Sequence, residues 1–474
     1  MEGAAAQGTG LAPLAWATLH FGQAPLGDVR RGKRLVRLAA ALAENPAMSL
    51  PKLLPDWSDL TAAYRFLSNP AVDPQAVYRP HQDLVRQGAA DQPVVLCLQD
   101  DTSLDFSRRT GIRGLGIIGD GGGRGLLQHG ALAVTPDGRV LGVLHLAWHA
   151  IPRVPAGETR RQSQARWCKH DVWADAAVAI GPWAGSGRLI HVGDSHADLF
   201  RFFQQTHALG HEVVVRAMHD RYVDDQTRRL WDKLAAAEVL GRLTVRLAAK
   251  RDQGNRITRP AREAHLTLRA AAVEIAPPPH DPRTAGAAPL TMYAVYAQEE
   301  APPAGAEAVE WMLLTSLSVD TWAQAETVLG YYRCRWIIEE WHRCQKQGCR
   351  IEQSQLDEAA DLMRLAALVA VLAVRLLQWR DLADSPQADT PAALRAAVPE
   401  LYVQLAAALA RVPAPTLTPR QFWQTVARRG GWLGRKHDGR PGWLVLWRGW
   451  SDLLQMVRGA ELYQQISSSA RKCV

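Results

Sequence analysis

Val94-Val95-Leu96-Cys97-Leu98-Gln99-Asp100-Asp101 is the stretch on which the fold turns. A short apolar run that stops at two carboxylates reads as a buried strand with acids at its carboxyl end. Leu189-Ile190-His191-Val192 repeats the pattern ahead of Asp194, and Val213-Val214-Val215-Arg216 is a further strand. Between them, residues 131–148 read as a hairpin, Ala131 to Thr135 and Val140 to Leu146 joined by a Pro136-Asp137-Gly138 turn. Strands separated by helical stretches give an α/β core.

Outward from that core the character changes on both sides. Residues 12–90 read as helical, with Leu35, Leu38, Ala39 and Leu42 at helical spacing and five prolines from Pro51 to Pro80 dividing the later part into short helices. Residues 240–300 read as successive strands (Leu243 to Leu247, His265 to Leu268, Val273 to Ile275, Met292 to Tyr296) separated by segments such as Pro277 to Pro282. This is a β-rich insertion at about 235–305. The spacing then predicts one long helix from Thr321 to Lys346, capped by Ser318 or Asp320, and another from Glu358 to Leu382. Gly119 to Gly125 lacks a following Gly-Lys-Ser/Thr and reads as a flexible loop carrying Arg124, not a phosphate loop. Residues 411–420, with Pro413, Pro415 and Pro419, read as a connector.

With 474 residues and 47% hydrophobic side chains the chain has the balance of a globular protein of several domains. None of the six cysteines stands in CxxC spacing, so neither a zinc site nor a disulfide scaffold is expected. Met1 to Leu11 lacks a basic region followed by an apolar run, and the longest apolar run, Leu365 to Val374, is too short to cross a bilayer. A soluble, intracellular protein is expected. The net charge of +8 points to an acidic partner such as nucleic acid. It is concentrated at Arg30, Arg31, Lys33, Arg34 and Arg37, and in residues 411–450, where eight Arg or Lys face one acid, Asp438. A solvated surface is the simpler reading of each cluster.

Asp100 and Asp194 each follow an apolar strand, where α/β sheets place their chemistry, although either could simply cap the next helix. On the long helix Tyr332, Arg335, Glu339 and Lys346 fall within an arc of roughly 60°. A solvated face with an Arg335–Glu339 pair does not explain the Tyr and the Lys beside them. Phosphodiester chemistry does. Carboxylates from separate segments hold hard divalent ions, and Tyr, Arg and Lys grip neighbouring phosphates.

These residues resemble bacterial insertion-sequence transposases of the DDE type, which carry a Tyr-(2)-Arg-(3)-Glu-(6)-Lys signature. Tyr332 to Lys346 keeps every spacing of it, and Gln99-Asp100-Asp101-Thr102-Ser103-Leu104 and Gly193-Asp194-Ser195-His196-Ala197-Asp198 resemble the two Asp motifs. Leu26 to Arg31 and Ala63 to Pro70 look like the family's end-binding domain, and Gly430 to Trp450 like its dimerisation domain. The resemblance implies a ribonuclease H-like catalytic core at 91–380, interrupted by the insertion, between a helical DNA-binding domain at 1–90 and a helical dimerisation domain at 381–474. It implies that Asp100, Asp194 and Glu339 hold two Mg²⁺ ions, with Mn²⁺ as a substitute. Arg216, Tyr332, Arg335 and Lys346 would hold the DNA backbone, and Trp311 would stack a flipped base, against its simpler role as a core aromatic. Arg30, Arg31 and Arg34 would bind the transposon ends. The implied reaction is cut-and-paste transposition in a bacterial cytoplasm: hydrolysis at the ends, a hairpin, and strand transfer into target DNA by a homodimer. A ribonuclease H-like nuclease or resolvase without strand transfer, and a non-catalytic DNA-binding inhibitor, are the alternatives. Asp101 and Glu340 adjoin two of the acids, but strand alternation and helix geometry turn each aside.

Overall fold

The structure is a computed structural model. It describes residues 8, 10–154, 157, 167–224, 228–247, 250–251, 257–279, 281–384, 389–435, 438–439 and 441–472, so Lys436 and Arg440 of the basic tail lie outside it. Two compact units emerge. The first comprises Met1–Gln92, Asp101–Arg153 and Ile337–Val474; the second comprises Pro93–Asp100 and Val154–Trp336.

The first unit opens with helices α1 (Pro13–Phe21), α2 (Val29–Glu44), α3 (Trp57–Leu67) and α4 (Pro74–Ala89). Short acids start three of them. Asp28, Asp56 and Asp73 accept backbone N–H groups of the first turns of α2, α3 and α4, supplying partners that a helix start lacks. On α2 the predicted stripe Leu35, Leu38, Ala39 and Leu42 is buried, while Lys33, Arg34 and Arg37 are exposed.

Strand β1 (Val94–Asp105) begins in the second unit and ends in the first. Its acids therefore lie in mid-strand, not at the strand end that the sequence suggests. In the first unit β2 (Gly116–Ile118), β3 (Gly123–Val134) and β4 (Val140–His149) form an antiparallel set, the β3–β4 ladder running from Leu127↔His149 to Val134↔Val140. The predicted turn closes it, with the Thr135 N–H donating to Arg139 O at 2.9 Å and Gly138 at φ +89°. Gly123 to Gly125 belong to β3 and not to a flexible loop. A side chain at Gly125 would collide with the Leu104 carbonyl at 2.1 Å, so the strands need a glycine there. Arg124 is tied down by donating to the Thr110 and Ile112 carbonyls at 3.1 and 3.0 Å.

The second unit holds β5 (Arg188–Gly193), β6 (Glu212–Arg216), β7 (Val239–Leu247), β8 (Arg262–Ile275), β9 (Leu290–Gln298) and β10 (Glu310–Thr315). Their order is β1-β5-β6-β10-β9-β8-β7. β1, β5 and β6 pair in parallel, and the remaining ladders are antiparallel. The insertion thus extends the sheet. His265 to Leu268 and Val273 to Ile275, expected as two strands, are one strand, because the ladder to β9 runs unbroken through residues 269–272. Helix α5 (Trp322–Cys334) packs across β5, β6 and β8. Its cap is Thr321 in a reciprocal box with Gln324, and not Ser318 or Asp320.

Back in the first unit, α6 (Trp336–Arg343, from Ile337 onward) and α7 (Ala359–Asp384) follow. α7 is buried along most of its length and packs on α4 and β4. The last helices, Glu400–Ala410, Pro419–Arg429 and Trp443–Lys472, close on it through a cluster of Trp379, Tyr402, Trp423 and Trp450, with Trp379 and Trp450 centroids 4.7 Å apart. The tail tryptophans Trp423, Trp443 and Trp450 are therefore core residues. No helix among the described residues is long and apolar enough to cross a membrane.

His81 on α4 joins these layers. Its Nε2 accepts the Val143 N–H of β4 at 3.0 Å, and its Nδ1 lies 3.0 Å from His20 Nδ1 on α1. Burial holds its pKa well below the usual value, the His20 ring adding to the effect. Because the folded pKa is lowered, its contribution is full above the unfolded value of about 6.5 and is lost as pH falls below it. Melting temperature should drop between about pH 7 and pH 5, with a free-energy slope of about 1.4 kcal/mol per pH unit for one such group. The drop should be shallower in His81→Gln; an equal slope would remove His81 from the account.

Candidate active site

The β1–β5 ladder pairs Val94 with Arg188 and continues to Leu98 with Val192. The same offset aligns Asp100 with Asp194. Asp100 thus stands where β5 peels away from β1, and Asp194 where β5 ends. Asp194 also caps the following 3₁₀ turn, accepting the His196 N–H at 2.8 Å, with His196 Nδ1 3.5 Å from its other oxygen. The capping role and a place in the site are compatible, since a carboxylate accepts several bonds.

Beneath the acids lies a buried polar chain that the sequence pattern does not single out. Gln99 Nε2 lies 2.6 Å from His191 Nδ1, and His191 Nε2 lies 3.0 Å from His211 Nδ1. All three side chains are buried, and burial, reinforced by His211, pushes His191 down to about 3, so its ring is neutral. The chain links β1, β5 and the start of β6 just below the point where the acids emerge. Its only sequence signal is polar residues inside apolar runs.

Tyr332 on α5 is the next component. Burial raises its hydroxyl, the Arg335 and Arg216 guanidiniums oppose that shift, and the Asp194 carboxylate adds to it. Those four groups therefore share one neighbourhood. The Trp311 ring on β10 lies 6.4 Å from the Tyr332 ring, and Arg335 lies 5.9 Å from both the Tyr332 and Trp336 rings. Trp311 is half-buried and Trp336 exposed. Two guanidiniums, a phenol and indoles beside an acid suit an aromatic, anionic ligand.

Glu339 and Lys346 belong to the first unit. The long helix from Thr321 to Lys346 is not continuous: Arg335 N–H donates to Tyr332 O, three residues back, and a π-turn occupies Cys344–Gly348. This tightening followed by underwinding invalidates the constant rotation on which the predicted stripe depends. α6 is anchored by Trp341, whose N–H donates to Ala370 O at 2.9 Å and whose ring fills the space where a Gly130 side chain would stand. The neighbouring Glu340 is paired with Arg380. Lys346 lies 3.8 Å from Glu352; burial lowers its pKa, against the pull of Glu352 and Asp105. Arg30 folds back on Asp28 at 2.9 Å and Arg31 donates to Leu26 O at 2.9 Å, while Arg34 is exposed. Among the described residues no three His, Cys, Asp or Glu side chains are gathered as a metal cluster.

Residues 13–72 match a family model described as transposase DNA-binding. Residues 398–470 match one described as the transposase Tn5 dimerisation domain. The two matches support a transposase role. They support DNA binding through the α1–α3 region and self-association through the last helices, and they flank the strands that carry Asp100 and Asp194. Neither match includes an acid of the predicted triad.

The buried chain is open to measurement. Gln99→Leu removes the partner of His191 Nδ1 and should cost about 1–3 kcal/mol in urea unfolding. An unchanged midpoint would show that the chain does not brace the strands.

Proposed function

We propose that the protein is a cut-and-paste DNA transposase whose Asp100, Asp194 and Glu339 form a two-metal site. The observation that carries this reading is the parallel β1–β5 ladder, which ends two residues before both Asp100 and Asp194, in a chain whose two ends resemble transposase domains. β1, β5 and β6 run parallel, and β3 and β4 form an antiparallel hairpin, as expected of a ribonuclease H-like core.

The donor set fits hard ions, since carboxylate oxygens are what Mg²⁺ prefers. When bound, the ions supply activation of the attacking oxygen and stabilisation of the leaving one. The chain's own residues do the rest. Arg216 and Arg335 neutralise phosphates beside the acids, and Tyr332 donates to a phosphate oxygen from a hydroxyl that stays protonated. Lys346 extends the grip on the backbone. Trp311 offers a flat face to a base displaced from the duplex, where stacking contributes about 1–3 kcal/mol. At the ends of the chain, exposed Arg34 contacts transposon-end DNA with Arg30 and Arg31. The apolar residues Leu462, Tyr463 and Ile466, exposed on the last helix, support pairing of two copies.

Incubation with Mg²⁺ and the DNA flanking the gene should yield nicked ends, hairpins and joined products. Cleavage without joining would favour a nuclease, and binding without cleavage an inhibitor. Asp100→Asn, Asp194→Asn and Glu339→Gln should each reduce cleavage by more than the roughly 10–100-fold typical of losing an outer-shell partner of a metal. Asp101→Asn should stay within a few-fold of the parent; a larger loss would move the first ligand by one position. DNA affinity should fall steeply with salt, and Arg34→Ala should reduce the logarithmic slope by about 1. A slope unchanged by that substitution would take Arg34 off the DNA.

A further inference from the structure

Glu310, at the start of β10, is not used by that reading. It lines an open pocket of about 450 Å³ with Ser195, Arg216, Met218, Trp231 and Met312. Its Oε1 accepts two bonds, from the Trp231 indole N–H at 2.8 Å and from the Tyr296 hydroxyl at 3.0 Å. Two donors on that oxygen hold it at the pocket, so the exposed Glu310 carboxylate has a fixed place there. Ser195 follows Asp194 directly, which puts the mouth of the pocket beside the proposed chemistry.

A carboxylate only accepts hydrogen bonds, and among phosphates it repels. It becomes favourable in a DNA site when the ligand brings a donor to it. In the grooves of a duplex the donors of DNA are base amines: N4 of cytosine, N6 of adenine and N2 of guanine. The remaining walls suit a base as well. Trp231 offers an aromatic face, Met218 and Met312 adaptable apolar contact, and Arg216 a cation for the attached phosphate. The volume lies within the range of small-ligand pockets.

We infer that Glu310 is a specificity-determining residue that reads an exocyclic amine on a base close to the scissile phosphate. This rests on the transposase reading. It adds sequence discrimination to a site whose other proposed contacts go to phosphate or to any base.

The test uses the full chain. Duplexes bound by the parent protein are selected, without metal, from a pool randomised at one end. In the selected duplex each amine-bearing base is replaced in turn by its counterpart lacking the amine: purine for adenine, hypoxanthine for guanine, 2-pyrimidinone for cytosine. At one position near the end the replacement should weaken binding roughly tenfold. Glu310→Ala should abolish that penalty at that position alone while keeping the parent's melting temperature. If Glu310→Ala does not hold its fold, Glu310→Leu, closer in length, asks the same question. A penalty that persists in the folded variant, or no position with a penalty, overturns the assignment of Glu310. If the parent selects and cleaves an end with Mg²⁺ while the penalty persists, only this inference falls. If it selects no sequence and cleaves none, the transposase reading falls with it.

Discussion

The parallel ladder between β1 and β5 is the constraint on which the second unit depends. It ends at Leu98 and Val192, two residues before Asp100 and Asp194, so both acids emerge where the ladder stops. Just below that point the buried chain from Gln99 through His191 to His211 links the strands by hydrogen bonds, with the His191 ring neutral. Loss of any link leaves a buried polar atom without its partner, an expensive state in a low-dielectric interior.

Around that ladder the sheet gathers rings and charged groups. β6 presents Arg216, β10 presents Trp311 and Glu310, and α5 packs across the strands to bring Tyr332 against the Trp311 ring. The insertion is part of this arrangement, because β8 and β9 continue the sheet and Tyr296 of β9 steadies Glu310. The resulting neighbourhood mixes guanidinium groups with flat rings, a combination suited to a polyanion whose bases can be stacked.

The helices at the two ends of the chain have a different physical basis. Three of the helices α1–α4 start at aspartate caps, and α2 buries one stripe, which leaves its basic face exposed. The C-terminal helices are held by tryptophans packed on α7, with Arg375 stacked among Trp16, Trp379 and Trp450. The two family matches fall on these regions.

Short apolar runs, turn signals and helical spacing placed β1, the β3–β4 hairpin, β5, β6, the insertion strands and α7 from sequence, because burial on one or both faces imposes them residue by residue. Local spacing also brought forward Asp100, Asp194, Tyr332 and Arg335, and a family resemblance added Arg216 and Trp311. Three things were decided only in three dimensions. β1 runs on past its acids, because β3 stands beside β1 as β5 departs. The helix predicted to end at Lys346 breaks at Arg335 and underwinds at Cys344, since hydrogen-bond choices of three, four or five residues leave no mark in the pattern. The partners of Gln99, His191 and Glu310 lie 92, 20 and 79 residues away along the chain, respectively, and no local signal reports a contact of that kind. Sequence periodicity records which face is buried; only the tertiary structure decides which polar groups meet there.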